Sequence, residues 1–302
     1  MLRARGLRPG DRIAVIIGNW IAFPVVYWGA TRAGVMVTLI SRHLKAEEAA
    51  YIVNDSGSRA LFIVPAEGDT AEQLVANRAT LIPAVEFIIT GVGHLHGAED
   101  MIEALRPMPP TPIADEIAGF HMIYSSGTTG RPKGVAMPFT PGPIDEFNTG
   151  EGSPRMYEPF QPLVTLNAGP LYHGAPLSAM IMTHRLGGTF VTQSKFDAEG
   201  VLAAIERYRV TNAQFVPTMF VRMLALPDAL RTRHDLGSLR LAVHAAAPCP
   251  VEVKRRMIDW WGPILFEYYG STEGVGATAI SSEEWLRKPG SVGKSSLGPI
   301  HI

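Results

Sequence analysis

Short β-branched runs alternate with helix-like stretches along this chain, and that alternation restricts its fold more than any other feature. Ile13-Ala14-Val15-Ile16-Ile17 lies between the turn signals Pro9-Gly10-Asp11 and Gly18-Asn19 and reads as a buried strand. A helix over Trp20 to Ala33 follows, with Pro24 in its first turns. Val35 to Ile40, Arg59 to Val64 and Glu86 to Thr90 repeat the strand character, with helical stretches Lys45 to Asn54 and Thr70 to Ala79 between them. Later come helices Asp197 to Tyr208 and Val251 to Trp261, and strands Phe120 to Tyr124, Asn212 to Val216, Leu239 to Ala245 and Ile264 to Tyr269. Short strands separated by helices call for parallel pairing with right-handed crossovers, so the fold class is α/β. Ligands of such sheets sit at the carboxyl ends of the strands, which makes the loops after strands the places to look for chemistry.

Composition narrows the function classes. The formal net charge is −1 and no Lys/Arg run is long enough to track a nucleic-acid backbone, so no nucleic-acid partner is expected. A single cysteine, Cys249, excludes an internal disulfide framework and a multi-cysteine zinc site, and fits a reducing, cytoplasmic setting. Arg3, Arg5 and Arg8 precede an apolar stretch, and Ile13 to Thr31 carries no formal charge over 19 residues. The two turn signals break that run into a strand and a helix, so no transmembrane segment is expected. The 302 residues suit one large or two ordinary domains, and 30 glycines with 24 prolines, in no repeating period, imply many loops. Pro138 to Pro162 reads as a long surface excursion.

The sharpest local feature is Tyr124-Ser125-Ser126-Gly127-Thr128-Thr129-Gly130-Arg131-Pro132-Lys133-Gly134-Val135, directly after a strand. Glycines free backbone N–H groups to face an anion, hydroxyls add donors, and the lysine adds a point charge, an inventory suited to a polyphosphate. It is not a Walker A loop, because Pro132 precedes Lys133 and a helix cannot begin across that segment. Gly91-Val92-Gly93-His94-Leu95-His96-Gly97 misses the dinucleotide fingerprint by one residue. A flexible Ser/Thr/Gly hairpin is the plain alternative for the loop.

Tyr124 to Val135 resembles the signature loop of the adenylate-forming superfamily, with Ser125 where threonine is usual. Three further segments resemble that superfamily's motifs, in its order. They are Gly169-Pro170-Leu171-Tyr172-His173-Gly174-Ala175-Pro176, His244-Ala245-Ala246-Ala247-Pro248 and Glu267-Tyr268-Tyr269-Gly270-Ser271-Thr272-Glu273-Gly274. The phrasing looks most like acyl-CoA synthetases acting on fatty or bile-type acids. The resemblance implies a large N-terminal lobe of parallel-rich sheets flanked by helices in αβαβα-like layers, with sub-lobes near 1–170 and 171–302. It also implies that the superfamily's Thr-Gly-Asp segment and small C-terminal domain are not reached, and that Met1 falls inside the pattern.

The implied chemistry is attack of a carboxylate on the α-phosphate of ATP, loss of pyrophosphate, and capture of the acyl-adenylate by the thiol of CoA. Charge repulsion and leaving-group charge make donors, a cation and Mg²⁺ the expected tools. Ser125, Ser126, Gly127, Thr128, Thr129, Gly130 and Lys133 would cradle the phosphates. Ala245, Ala246 and Ala247 would lie against adenine and Tyr269 would stack on it. Thr272 would donate to the α-phosphate or carboxylate, Glu273 would hold Mg²⁺, and His173 would sit beside the acyl carboxylate. Read without the resemblance, Tyr269 is a core tyrosine ending a strand, His173 a structural loop histidine and Thr272-Glu273 a helix start.

No aspartate occurs in Tyr172-His173-Gly174, which argues against an amino-acid substrate. Leu177, Met180, Ile181, Phe215 and Met219 are apolar lining candidates and equally ordinary core. His94 and His96 read as a surface turn, Ser291-Val292-Gly293-Lys294 lacks the companions of a β-lactamase site, and Cys249 reads as a small buried hydrophobe. The acceptor could be a carrier protein instead of CoA, and a non-catalytic nucleotide-binding remnant is the reading from another class.

Overall fold

The β-branched runs form strands buried on both faces, which is why they read as continuous apolar stretches. The computed structural model describes residues 1–65, 68–125, 131–136, 142–146, 160–271, 276–296 and 298–299. The chain divides into two units, Met1–Asn148 with Leu171–His173, and Thr149–Pro170 with Gly174–Ile302.

The first unit holds β1 (Arg12–Ile16), β2 (Met36–Leu39), β3 (Ala60–Ile63), β4 (Phe87–Thr90), β5 (Glu99–Asp100), β6 (His121–Ser125) and β7 (Lys133–Ala136). Its helices are α1 (Ala22–Thr31), α2 (Ala46–Asp55), α3 (Thr70–Ala76), α4 (Arg78–Leu81) and α5 (Met101–Leu105). The strands lie in the order β5-β4-β3-β1-β2-β6-β7, parallel throughout except β6 with β7. Ala14, Ile16, Ile52, Leu61, Ile63 and Leu74 belong to the core between sheet and helices.

Helix α1 starts two residues later than its sequence pattern, because Trp20 N donates to Gly18 O in a turn; Pro24 sits in the first turn, where no helical bond is lost. The predicted Thr70 to Ala79 helix breaks at Asn77, which leaves helical geometry (φ −104°, ψ 25°) while its amide bonds Gln73 O. Gly119, just before β6, is required by close approach: a Cβ there would lie 2.4 Å from Val35 O.

The second unit holds β8 (Val164–Asn167), β9 (Thr189–Thr192), β10 (Asn212–Phe215), β11 (Leu241–His244), β12 (Leu265–Gly270), β13 (Ala277–Ser281) and β14 (Lys294–Ser295). Its helices are α6 (Gly174–Arg185), α7 (Ala198–Tyr208), α8 (Pro217–Leu224), α9 (Asp228–Arg231), α10 (Val251–Trp261) and α11 (Ser282–Arg287). The order is β14-β13-β12-β11-β10-β8-β9, with β12–β13 and β13–β14 antiparallel and the other pairs parallel. One face is sealed by a core that includes Leu202, Ile205, Phe215, Phe220, Met257 and Trp285.

The two sheets share a plan that no sequence repeat announces. In each, the first strand (β1 or β8) lies between the second and the third, and the fourth and fifth continue beyond the third. Both units therefore have a switch point beside their first strand, where the connections leave in opposite directions. Both sheets are mostly parallel, as the parallel-rich reading expects, and the antiparallel pairs are confined to β6–β7, β12–β13 and β13–β14. The connections from Ser125 to Lys133 and from Gly270 to Ala277 are too short for a crossover. No helix among the described residues is long and apolar enough to cross a membrane.

Candidate active site

The Ser/Thr/Gly segment is the connection of an edge hairpin. Strands β6 and β7 pair with Tyr124 opposite Gly134 and Ser125 opposite Lys133, so the segment starts and ends on one backbone pair. Lys133 opens a strand, not a helix, as Pro132 requires. Gly134 has a steric reason: a Cβ there would lie 3.0 Å from the Tyr124 ring. Helix α2 anchors the hairpin, because Tyr124 Oη donates to Asp55 Oδ2 at 2.6 Å and the Arg131 guanidinium lies 5.4 Å from the Tyr51 ring centroid. Burial, then the Asp55 bond, push the Tyr124 phenol above its ordinary range. Ser126, Gly127, Thr128, Thr129 and Gly130 lie outside the described residues, as does most of Pro138 to Pro162.

The Tyr172-His173 element follows β8 in the chain and belongs to the first unit. Leu171 N donates to Asn19 Oδ1 at 3.0 Å, and the Tyr172 and His173 rings lie 4.5 Å apart between centroids. His173 is exposed, immediately before α6, and the burial it has lowers its imidazole pKa.

Two more candidate segments leave neighbouring strand ends of the second unit. Ala245 is buried at the end of β11, and Ala246 and Ala247 are exposed. Ala246 has φ 75°, a left-handed conformation costing a non-glycine residue about 1–2 kcal/mol, of the kind that collects at functional loops. Tyr269, next to last in β12, is 65% exposed, so its ring is not core. Thr272 and Glu273 lie outside the described residues. Leu177, Met180, Ile181, Phe215 and Met219 are all buried, the last two, from β10 and α8, within the core of the second unit. His94 and His96 are exposed, and no group of three or more His, Cys, Asp or Glu suited to a metal occurs among the described residues. Cys249 is half-buried against the core, and burial raises its thiol to about 11.

Two polar groups at these strand ends escape sequence reasoning. Asn167, Gln214, Val243 and Phe266 are register partners on one face, and Tyr268 follows Phe266 on that face. There Gly169 N donates to Asn167 Oδ1, Asn167 Nδ2 to Gln214 Oε1 (2.7 Å) and Gln214 Nε2 to Tyr268 Oη (3.2 Å). The chain of bonds runs from the start of the Gly169–Pro176 element to the residue before Tyr269. Gln214→Leu leaves Asn167 Nδ2 and Tyr268 Oη without this partner and is expected to cost about 1–3 kcal/mol, read from urea unfolding.

On the opposite face His244 and Glu267 are register partners, and Lys254 of α10 reaches up to them. Lys254 Nζ donates to Glu267 Oε2 at 2.5 Å, and His244 Nε2 lies 3.7 Å from the same oxygen. Burial lowers the lysine pKa, opposed by the bond to Glu267. Burial, then the Lys254 charge, lower His244 to about 3. A signal for the buried lysine exists in the sequence: Lys254 shares the helical face of Met257, Ile258 and Trp261, at spacings of three, four and seven.

These features define an α/β protein whose candidate binding loops leave the carboxyl ends of parallel strands. The chain belongs to the AMP-binding enzyme family, whose model matches residues 1–299. It is 32% identical to a feruloyl-CoA synthase of Amycolatopsis sp over 98% of its own length and 56% of that protein. It is 28% identical to the long-chain-fatty-acid–CoA ligase FadD13 of Mycobacterium tuberculosis, over 98% and 57% respectively. The chain thus spans a little over half the length of these relatives. Among solved structures, the N-terminal domain of FACL13 from Mycobacterium tuberculosis superposes with a TM-score of 0.80 at 24% identity, covering 98% of this chain and 72% of that one, a likeness of fold.

Proposed function

We propose that this chain binds ATP and a carboxylic acid for an acid–thiol ligase reaction. The acid attacks the α-phosphate to give an acyl-adenylate and pyrophosphate, and CoA then displaces AMP to give the thioester. The observation that carries this reading is that the candidate loops lie at strand ends: Ser125 and Lys133 in register at the hairpin mouth, and Ala245 directly after β11 beside β12 with its exposed Tyr269. In this reading Ser125 through Gly130 and Lys133 hold the phosphates. Ala245, Ala246, Ala247 and Tyr269 take the adenine, Thr272 donates to the reacting phosphate or carboxylate, and His173 meets the acid.

Mg²⁺ is part of the proposal. Glu273 would hold the ion through the hard carboxylate oxygen that this cation prefers. When bound, the ion neutralises phosphate charge and eases departure of pyrophosphate. The acid is taken as apolar, fatty or aromatic, because one relative is named for a long-chain fatty acid and others for ferulate and for 4-hydroxybenzoate or benzoate.

Calorimetric titration with ATP tests the reading. Binding is expected to require Mg²⁺ and to weaken about tenfold or more in Lys133→Ala and in Glu273→Ala, the loss of a charge-assisted contact. A folded chain that binds no ATP rejects it. Titrating ferulate, benzoate and dodecanoate in the presence of AMP then ranks the acids.

A further inference from the structure

We propose that Lys254 is a positioning residue for the nucleotide-binding edge of the second sheet, an inference that rests on the ATP reading above. The ammonium is 0% exposed, bonded to Glu267 Oε2 at 2.5 Å, and lies 5.1 Å from the Trp285 ring centroid. Glu267 is the last buried residue of β12; beyond it Tyr268 is half-buried, and Tyr269 and Gly270 are exposed. Its register partner His244 is the last residue of β11, directly before Ala245 and the left-handed Ala246. One carboxylate oxygen therefore sits beneath both strand ends from which the adenine-contacting segments leave, and Lys254 fixes it against α10.

A lysine is a poor choice for core stability alone. Burying an ammonium and a carboxylate costs several kcal/mol per ion, and an apolar pair of similar volume is often at least as stable. The ion pair does what an apolar pair cannot, since a short charge-assisted bond defines one position for the strand end. His244 adds no competing restraint: neither of its ring nitrogens has a hydrogen-bond partner among the described residues. Its ring packs edge-on against Phe220. Misplacing Ala245–Ala247 relative to Tyr269 would loosen the grip on the base and leave the hairpin segment, in the other unit, untouched.

The test compares ATP with tripolyphosphate, which carries the phosphates without adenine or ribose, both with Mg²⁺, by calorimetry. The variants are Lys254→Met and Lys254→Met/Glu267→Gln, the second leaving no unpaired charge buried. ATP affinity is expected to fall about tenfold or more in both while tripolyphosphate affinity stays within about twofold of wild type. Unchanged ATP affinity in a folded variant overturns the proposal, and so does an equal loss for both ligands, which would mark a general structural role. If Lys254→Met does not fold, the double variant decides; if neither folds, Lys254 serves folding and the proposal is wrong. Wild type that binds no ATP rejects the nucleotide reading and this inference together, whereas wild-type binding with unaltered variants rejects the inference alone.

Discussion

Glu267→Ala is expected to lower the free energy of unfolding by about 3–5 kcal/mol, because it strands the Lys254 ammonium in the core without its counter-ion. Lys254 is held by that one ion pair and by the Trp285 ring, with Met257 and Ile258 beside it on the buried face of α10. Lys254 itself is fully buried. Removing both charges, as in Lys254→Met/Glu267→Met, should recover most of the loss, since the penalty comes from the unpaired charge. Urea unfolding followed by tryptophan fluorescence measures both, with Trp285 as a nearby reporter. Arg106→Ala, which breaks the exposed Arg106–Glu103 pair on α5, should change little, because solvent already screens that pair. Equal effects at the two sites would show that burial does not govern the Lys254–Glu267 pair.

Stability should also fall steeply as the pH drops from 7 to 5, through two buried histidines. Burial lowers His121 to about 4 and His244 to about 3, from an ordinary value of 6.5. Below pH 6.5 the unfolded chain takes up protons that the folded chain refuses, so protonation favours unfolding. The stability present above pH 6.5 is lost progressively toward pH 4 and then 3. At pH 5 each histidine is expected to contribute about 2 kcal/mol of that loss. His121 sits on β6 with its Nδ1 hydrogen-bonded to Tyr27 Oη, and His244 faces Lys254, Glu267 and Phe220. His244→Gln should flatten the profile between pH 7 and 5 by its share. A wild-type urea midpoint unchanged between those pH values would contradict both assignments.

Much of the fold is legible in local sequence. Strands β1, β2 and β3 are buried on both faces beyond Arg12, and all their other residues except Thr38 are apolar, so the pattern shows in the sequence. Pro217 at the start of α8 and Asp197 capping α7 mark helix starts for local steric and hydrogen-bonding reasons. Asn77 is the contrary case: a favourable helical window ends where an amide competes for the backbone. Strand β7 was hidden because Lys133-Gly134-Val135-Ala136 has no strong strand pattern; it pairs because β6 offers it an edge.

The candidate site divides in the same way. Glycine, hydroxyl and lysine content identifies the segment after β6 from composition alone, because anion binding depends on the groups a short segment carries. Tyr269 is different, since one sequence is compatible with a core ring or an exposed one, and packing leaves it 65% exposed. The strain at Ala246 is invisible in a run of three alanines and follows from the path the chain takes out of β11.

By itself the sequence determined the α/β class, the family resemblance and the segments that carry the chemistry, all of which depend on residues close together in the chain. Only the tertiary structure decided the doubled strand order, the exposure of Tyr269, and the Asn167–Gln214–Tyr268 and Lys254–Glu267–His244 groups. Those depend on strand register and on which helix covers which face. Side-chain bonds between elements join residues 13 to 54 positions apart, and burial, set by the whole core, turns a lysine that could have been an ordinary surface charge into a fixed one.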